Sequence, residues 1–221
     1  MKIYVTGLGV VSGIGLGVAE NIASLRKHQH GMGKVTLFPT ELDVPVSEVK
    51  YSNEELKRLL SLDIQKTFSR TALLGMLAAR EAVDDARLDL NTLRVGLISS
   101  TSVGGMDLSE HFYNAFKKDN RKGRLREVIS HDCGASTEMI ADYLKVNDFV
   151  TTISTACSSA ANAIMLGARM IRNGQLDAAI VGGTDALCKF TRNGFNSLMV
   201  LDKEHCRPFD ASRAGLNLGE G

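Results

Sequence analysis

The side chains best suited to nucleophilic or general-base chemistry are four cysteines (Cys133, Cys157, Cys188, Cys206) and five histidines (His28, His30, His111, His131, His205). Cys157 alone has a context that points to a role. It stands in Ser154-Thr155-Ala156-Cys157-Ser158-Ser159-Ala160, after the β-rich Phe149-Val150-Thr151-Thr152-Ile153 and before a long run of small and helix-forming residues. A strand that turns sharply into a helix at a cysteine puts the sulfur at the helix N-terminus. There, unpaired N–H groups and the positive end of the helix dipole favour the thiolate, the nucleophilic form. The stretch therefore reads as a nucleophile elbow with sulfur in place of a serine oxygen. The other reading is a buried cysteine acting as a small hydrophobe between strand and helix. Cys133, Cys188 and Cys206 lack this context and read as inert. Their wide spacing, with no CxxC pair, argues against structural zinc, and no metal is expected.

The elements that must position Cys157 follow from hydrophobic periodicity. Strands are expected at 3–6, 94–100, 149–153 and 178–181. Helices are expected at 17–25, 52–60, 64–86, 108–117, 136–144, after Cys157, and at 192–199. In the long helix Phe68, Ala72, Met76, Ala79 and Val83 recur at the spacing of one face. Residues 118–132 are basic and polar and read as a surface excursion. Alternating strands and helices imply an α/β fold with a largely parallel sheet covered on both faces. The helix after Cys157 is small or apolar on nearly all sides, which suggests burial between layers.

Composition narrows the function classes. The chain has 221 residues, 44% hydrophobic and 23% charged, with a formal net charge of +1. That balance gives no support to nucleic-acid binding, which needs a concentrated basic face. No apolar run approaches the roughly 20 residues of a membrane span, the N-terminus lacks a signal-peptide pattern, and a cytoplasmic protein with reduced thiols is expected. The glycines of Gly7-Leu8-Gly9-Val10-Val11-Ser12-Gly13 invite a dinucleotide-binding reading, but the fingerprint needs glycine where Ser12 stands.

Four stretches occur in order: Val5-Thr6-Gly7-Leu8-Gly9; Thr155-Ala156-Cys157-Ser158-Ser159; Val181-Gly182-Gly183-Thr184-Asp185; and Arg207-Pro208-Phe209-Asp210 leading to Gly219-Glu220-Gly221. Together they resemble the β-ketoacyl-acyl carrier protein synthases, condensing enzymes of the thiolase superfamily. The resemblance implies a layered α-β-α-β-α sandwich, of which residues 1–221 supply the N-terminal half, usually within a homodimer. It implies that Cys157 accepts an acyl group from a phosphopantetheine thioester. A malonyl thioester then loses carbon dioxide and its carbanion attacks the acyl-enzyme. No bound cofactor is implied, because the substrates travel on the phosphopantetheine of acyl carrier protein. The family's two catalytic histidines belong to the second half, so the chain reads as a fragment that holds the nucleophile and cannot complete condensation. Its own histidines read as surface or loop residues.

Further residues carry over through the same resemblance. The Cys157 N–H is expected to be one oxyanion donor. Gly104, Gly105 and Met106 resemble the turn beside the nucleophile, where Met106 is either a wall of the acyl channel or a flexible core filler. Phe195 is either an acyl-pocket aromatic or plain core. Helix 136–144 and its flanks are candidates for the dimer interface. Arg207, Arg213 and the basic stretch 117–126 could face acidic carrier protein, while Arg207 could instead pair with Asp210 in a structural turn. Two alternatives stand beside the synthase: a non-condensing partner subunit, which typically lacks the cysteine, and a cysteine-dependent thioester hydrolase, for which no histidine is placed.

Overall fold

A computed structural model describes residues 2–221. In chain order its elements are β1 (Val11–Ser12), β2 (Gly15–Leu16), α1 (Val18–Arg26), β3 (Met32–Gly33), β4 (Val46–Ser47), α2 (Asn53–Leu59), α3 (Arg70–Ala86), β5 (Val95–Ser100) and α4 (Met106–Lys118). There follow α5 (Leu125–Ile129), α6 (Cys133–Leu144), β6 (Phe149–Ile153), a 3-10 turn (Ala156–Ser158), α7 (Ser159–Arg172), β7 (Ala178–Val181), α8 (Lys189–Ser197) and β8 (Leu218–Gly219).

The main sheet is parallel, in the order β6-β5-β7, with Gly96 opposite Phe149 and Val95 opposite Ala178. Central β5 is buried at every position, as expected of a parallel strand with both faces covered. Alternate residues serve the two faces. Val95 and Leu97 pack with Leu73, Leu77, Ile140 and Leu144 of α3 and α6, whereas Ile98 packs with Ala163 and Met170 of α7. The result is an α/β/α stack, three layers of the layered sandwich expected from sequence. On α7 the buried positions are Ser159, Ala163, Gly167 and Met170, one stripe, while Ile164 and Met165 on the opposite side are exposed. The expectation that this helix is enclosed on all sides is thus met on one face only among the described residues. Gly167 lets the helix lie close: a Cβ there would stand 2.5 Å from Val181 Cγ1.

Several boundaries differ from the sequence reading. Residues 3–6 form no strand; Tyr4 and Val5 are 73% and 80% exposed. Both edges of β5 are already taken by β6 and β7. The N-terminal segment instead runs over α3, with the amides of Leu8 and Val10 donating to Asp85 and Glu81 at 2.9 Å. Gly7 and Gly9 permit that approach, since a Cβ on either would collide with the α3 carbonyls of Ala82 or Ala78. Helix α3 begins at Arg70 rather than 64. Ser69 accepts from Ala72 N as its cap, and Lys57 Nζ fastens the preceding turn by donating to the carbonyls of Ile64 and Lys66 at 3.0 and 2.7 Å. The excursion 118–132 contains the short helix α5, and α6 starts three residues before the expected 136, capped by Asp132.

A buried ionic knot ties the C-terminal stretch to the body. Arg70 and Glu220 pair at 2.6 Å with side chains 3% and 0% exposed. Glu220 also accepts the amides of Val49 and Leu187, and Arg70 also donates to the carbonyls of Val49 and Tyr51 and to Asn53 Oδ1. Each charge is thereby hydrogen-bonded as well as paired, the condition under which a buried ion pair is tolerated.

Candidate active site

β6 runs out at Ile153, the chain turns through Ser154 and Thr155, and the 3-10 turn Ala156–Ser158 feeds α7. Ala156 has φ +53°, the left-handed region that a residue with a Cβ adopts at a cost. Such a backbone held just before the residue that links a strand to a helix is the geometry of an elbow. Cys157 is exposed and its thiol is free.

Hydroxyls and one amide hold the strained turn. Ser159 Oγ accepts from Thr155 N at 2.8 Å and donates to Ala156 O at 2.7 Å. Ser158 Oγ donates to Thr155 O at 2.8 Å, and Asn162 Nδ2 donates to Thr155 Oγ1 at 2.8 Å. The peptide groups on both sides of Ala156 are therefore pinned while the sulfur stays free. Sequence reasoning singled out Cys157 and missed Thr155, Ser159 and Asn162 as its clamp. The available signal was a hydroxyl four residues before another, with an amide one turn further on. Cys133 lies closer to the elbow than expected, its Sγ donating to Ser154 Oγ at 3.9 Å. Cys188 is buried and caps α8 by accepting from Thr191 N; burial pushes its thiol up. Among the described residues no His, Cys, Asp and Glu side chains gather into a group of three that could hold a metal ion.

Gly104 and Gly105 form the turn between β5 and α4. Gly104 has φ +56° and a Cβ on it would lie 2.9 Å from His131 O, while one on Gly105 would lie 1.7 Å from Ser130 O. Glycine is required at both by this close approach to the 130–133 backbone. Met106 opens α4, half-buried. Phe195 is half-buried on α8, which packs against α4, so the two proposed channel residues lie on touching helices. Two open clefts of about 700 and 640 Å³ flank α3; Cys157 lines neither.

Four of the five histidines are engaged with other side chains. His131 Nδ1 meets Ser109 Oγ at 2.8 Å, His111 Nδ1 meets Glu127 Oε2 at 3.0 Å, and His30 and His205 stack edge to face at 4.1 Å. Arg207 is held inside its own loop, donating to Glu204 Oε2 and Ser212 O at 3.0 Å and standing 3.9 Å from Asp202 Oδ2. Its expected carboxylate partner Asp210 instead donates its backbone amide to Arg207 O. Arg213 is exposed and donates to Asp210 O.

The family model "Beta-ketoacyl synthase, N-terminal domain" matches residues 1–221. Nodulation protein E of Rhizobium meliloti (strain 1021) is 30% identical over 234 residues, covering 100% of this chain and 56% of that protein. The 3-oxoacyl-[acyl-carrier-protein] synthase 2 of Staphylococcus aureus (strain MRSA252) is 28% identical, again over 100% of this chain and 56% of its own length. The solved ishigamide ketosynthase/chain length factor superposes with a TM-score of 0.88 at 29% identity, covering 98% of this chain and 55% of that one. A ketosynthase (ApeO) in complex with its chain length factor (ApeC) from Xenorhabdus doucetiae gives 0.81 at 26%, with 98% and 55% covered. The chain thus spans about half the length of the relatives it matches. With an elbow cysteine on the α/β/α stack that these relatives share, the chain belongs to the β-ketoacyl synthase family, as its N-terminal domain.

Proposed function

We propose that this chain carries the nucleophile of a β-ketoacyl-acyl carrier protein synthase. The observation that carries the reading is the exposed Cys157 just before α7, in the 3-10 turn that follows a parallel strand and next to the strained Ala156. In the first half-reaction the Cys157 sulfur attacks the carbonyl carbon of an acyl-phosphopantetheine thioester. The tetrahedral oxyanion collapses with expulsion of the carrier thiol, which takes the proton, and leaves an acyl-Cys157. Backbone N–H groups at the elbow, that of Cys157 among them, are the proposed oxyanion donors. In the second half-reaction a malonyl thioester loses carbon dioxide, and the carbanion formed attacks the acyl-Cys157 carbonyl, freeing the sulfur and yielding a β-ketoacyl thioester.

His131 and His111 are engaged with Ser109 and Glu127, and the bases for decarboxylation are assigned, by the family resemblance, to the second half of the synthase. Residues 1–221 alone are expected to be inactive in condensation. No resident cofactor is invoked; phosphopantetheine is part of the substrate. Acyl carrier protein is the proposed substrate carrier, with Arg213 and the basic stretch 117–126 as its candidate contacts; Arg207, engaged internally, is the weaker one. A second ketosynthase-fold subunit is the proposed partner, either a copy of this protein or, as the names of two solved relatives suggest for them, a chain length factor. No helix of the described residues is long and apolar enough to cross a membrane, and the proposed location is the cytoplasm.

The test is intact mass of the complete protein after incubation with an acyl-phosphopantetheine thioester. One acyl adduct mapping to Cys157, absent in Cys157→Ala, is expected. Absence of any adduct on the complete wild-type protein would remove the synthase reading in favour of a non-catalytic subunit. Release of free acid without condensation would favour the hydrolase.

A further inference from the structure

The carboxylate of Asp185 sits where the chain leaves β7, and one of its oxygens gathers one turn. Asp185 Oδ1 accepts from Thr101 Oγ1 at 2.6 Å, from Ser102 N at 2.8 Å and from Val103 N at 3.1 Å. Thr101 Oγ1 in turn accepts from Val103 N and Gly104 N at 3.2 and 3.0 Å. The turn so gathered is the one that presents Gly104, Gly105 and Met106, and Gly105 N donates to His131 O at 3.3 Å. Asp185 is itself fixed from behind. Its amide donates to Gly221 O at 3.1 Å and its carbonyl accepts from Gly221 N at 3.2 Å. The neighbouring Leu187 N and Glu220 carboxylate meet at 3.0 Å inside the ionic knot with Arg70.

The turn adjoins the elbow: Ser100 pairs with Ile153, and Thr101 N donates to Ile153 O at 3.2 Å, at the end of the strand that leads to Cys157. We infer that Asp185 is a positioning residue that fixes the Thr101–Met106 turn against the 130–133 backbone, and thereby sets which acyl chains reach Cys157. This rests on the synthase reading above. The physical reason is that the turn has no other anchor of comparable strength: Gly104 and Gly105 have no side chains to pack. Hydrogen bonds to a charged acceptor are the strong kind. Released from Asp185, the turn would let Met106, the first residue of α4, shift.

The experiment uses the complete protein. Asp185→Ala, Asp185→Asn and Thr101→Val are compared with wild type in three measurements: amide exchange at 102–104, alkylation of Cys157 by iodoacetamide, and acylation of Cys157 by short and long acyl-phosphopantetheine thioesters. Asp185→Ala is expected to speed exchange at Ser102 and Val103 about tenfold, the loss that accompanies one hydrogen bond to a charged group. It is expected to leave alkylation unchanged and to change the ratio of long-chain to short-chain acylation by a similar factor. Asp185→Asn keeps an acceptor oxygen and restores most of both. Thr101→Val, whose side chain is near-isosteric, is expected to shift the ratio in the same direction and serves as the second variant if Asp185→Ala fails to fold. An unchanged acyl ratio in a folded variant with faster exchange overturns the inference, as does a parallel loss of alkylation, which would locate the effect in the elbow. A wild-type Cys157 that takes no acyl group removes the synthase reading and this inference together. A wild type that is acylated, beside variants with an unaltered ratio, removes the inference alone.

Discussion

The Cys157 elbow and the Arg70–Glu220 knot are built on opposite principles. The elbow is local: every bond that holds it joins residues within seven positions, Thr155 to Asn162 being the longest. It is exposed and strained, and it leaves its sulfur unencumbered. The knot joins residues 150 positions apart, is excluded from water, and leaves neither charge unpaired. A reactive group has to be presented, so its scaffold comes from its neighbours. A structural charge has to be enclosed, so its partners come from wherever the fold can bring them.

That contrast can be broken at either end. The largest expected effect is on chemistry: Cys157→Ala abolishes acyl adduct formation by mass while leaving the far-ultraviolet circular dichroism unchanged. Next is the knot. Glu220→Gln strands the buried guanidinium of Arg70 and is expected to destabilise by about 3–5 kcal/mol, read as the denaturant midpoint. Arg70→Met combined with Glu220→Leu is expected to recover only part of that loss: an apolar pair leaves no buried charge, but the amides of Val49 and Leu187 lose their acceptor. A smaller effect is expected from Ser159→Ala, which removes one acceptor and one donor at the elbow. Acylation should slow about tenfold, the equivalent of roughly 1.4 kcal/mol, with little change in the unfolding midpoint. A loss of stability equal to that of Glu220→Gln would show that the elbow is also structural.

The smallest effect is a pH slope. Burial is the largest influence on Asp107 and raises its carboxyl from 3.8 to about 6, against the lowering effect of the Arg70 amide that it accepts. The fold therefore binds this proton more tightly than the unfolded chain does. Stability from this group is present below about 4, is lost as pH rises toward 6, and stays lost above it. Asp107→Asn should flatten the unfolding midpoint across that window and leave the slope elsewhere intact.

The same contrast explains what was legible in the sequence. The strand, the turn and the helix around Cys157 were readable because their determinants are adjacent. So were β5 and β7, whose apolar runs end in glycine or serine. The capping box of α2, with Ser52 and Glu55 satisfying each other, bounded that helix nearly to the residue. Residues 3–6 misled because an apolar run states a preference for a sheet, whereas Gly7 and Gly9 beside it let the segment lie on α3. The start of α3 misled because Phe68 continues the apolar period past the Ser69 cap. Asp185 and Glu220 stood inside stretches recognised as motifs, yet what each one holds was invisible. A side chain's partners 80 or more positions away leave no mark on its own neighbourhood, as with Asp185 and Thr101.

Gly167 sits in α7, ten residues after Cys157 and eight after the helix begins at Ser159, about 12 Å along it at the rise of an α-helix. A methyl group there would push against Val181 and pry the rod off its bed. How deep the sulfur sits is consequently gauged by a residue that never approaches it. The standoff between one helix and one strand works as a ruler for the end that carries Cys157, and a variant at Gly167 is expected to shift that end with no substitution in the elbow.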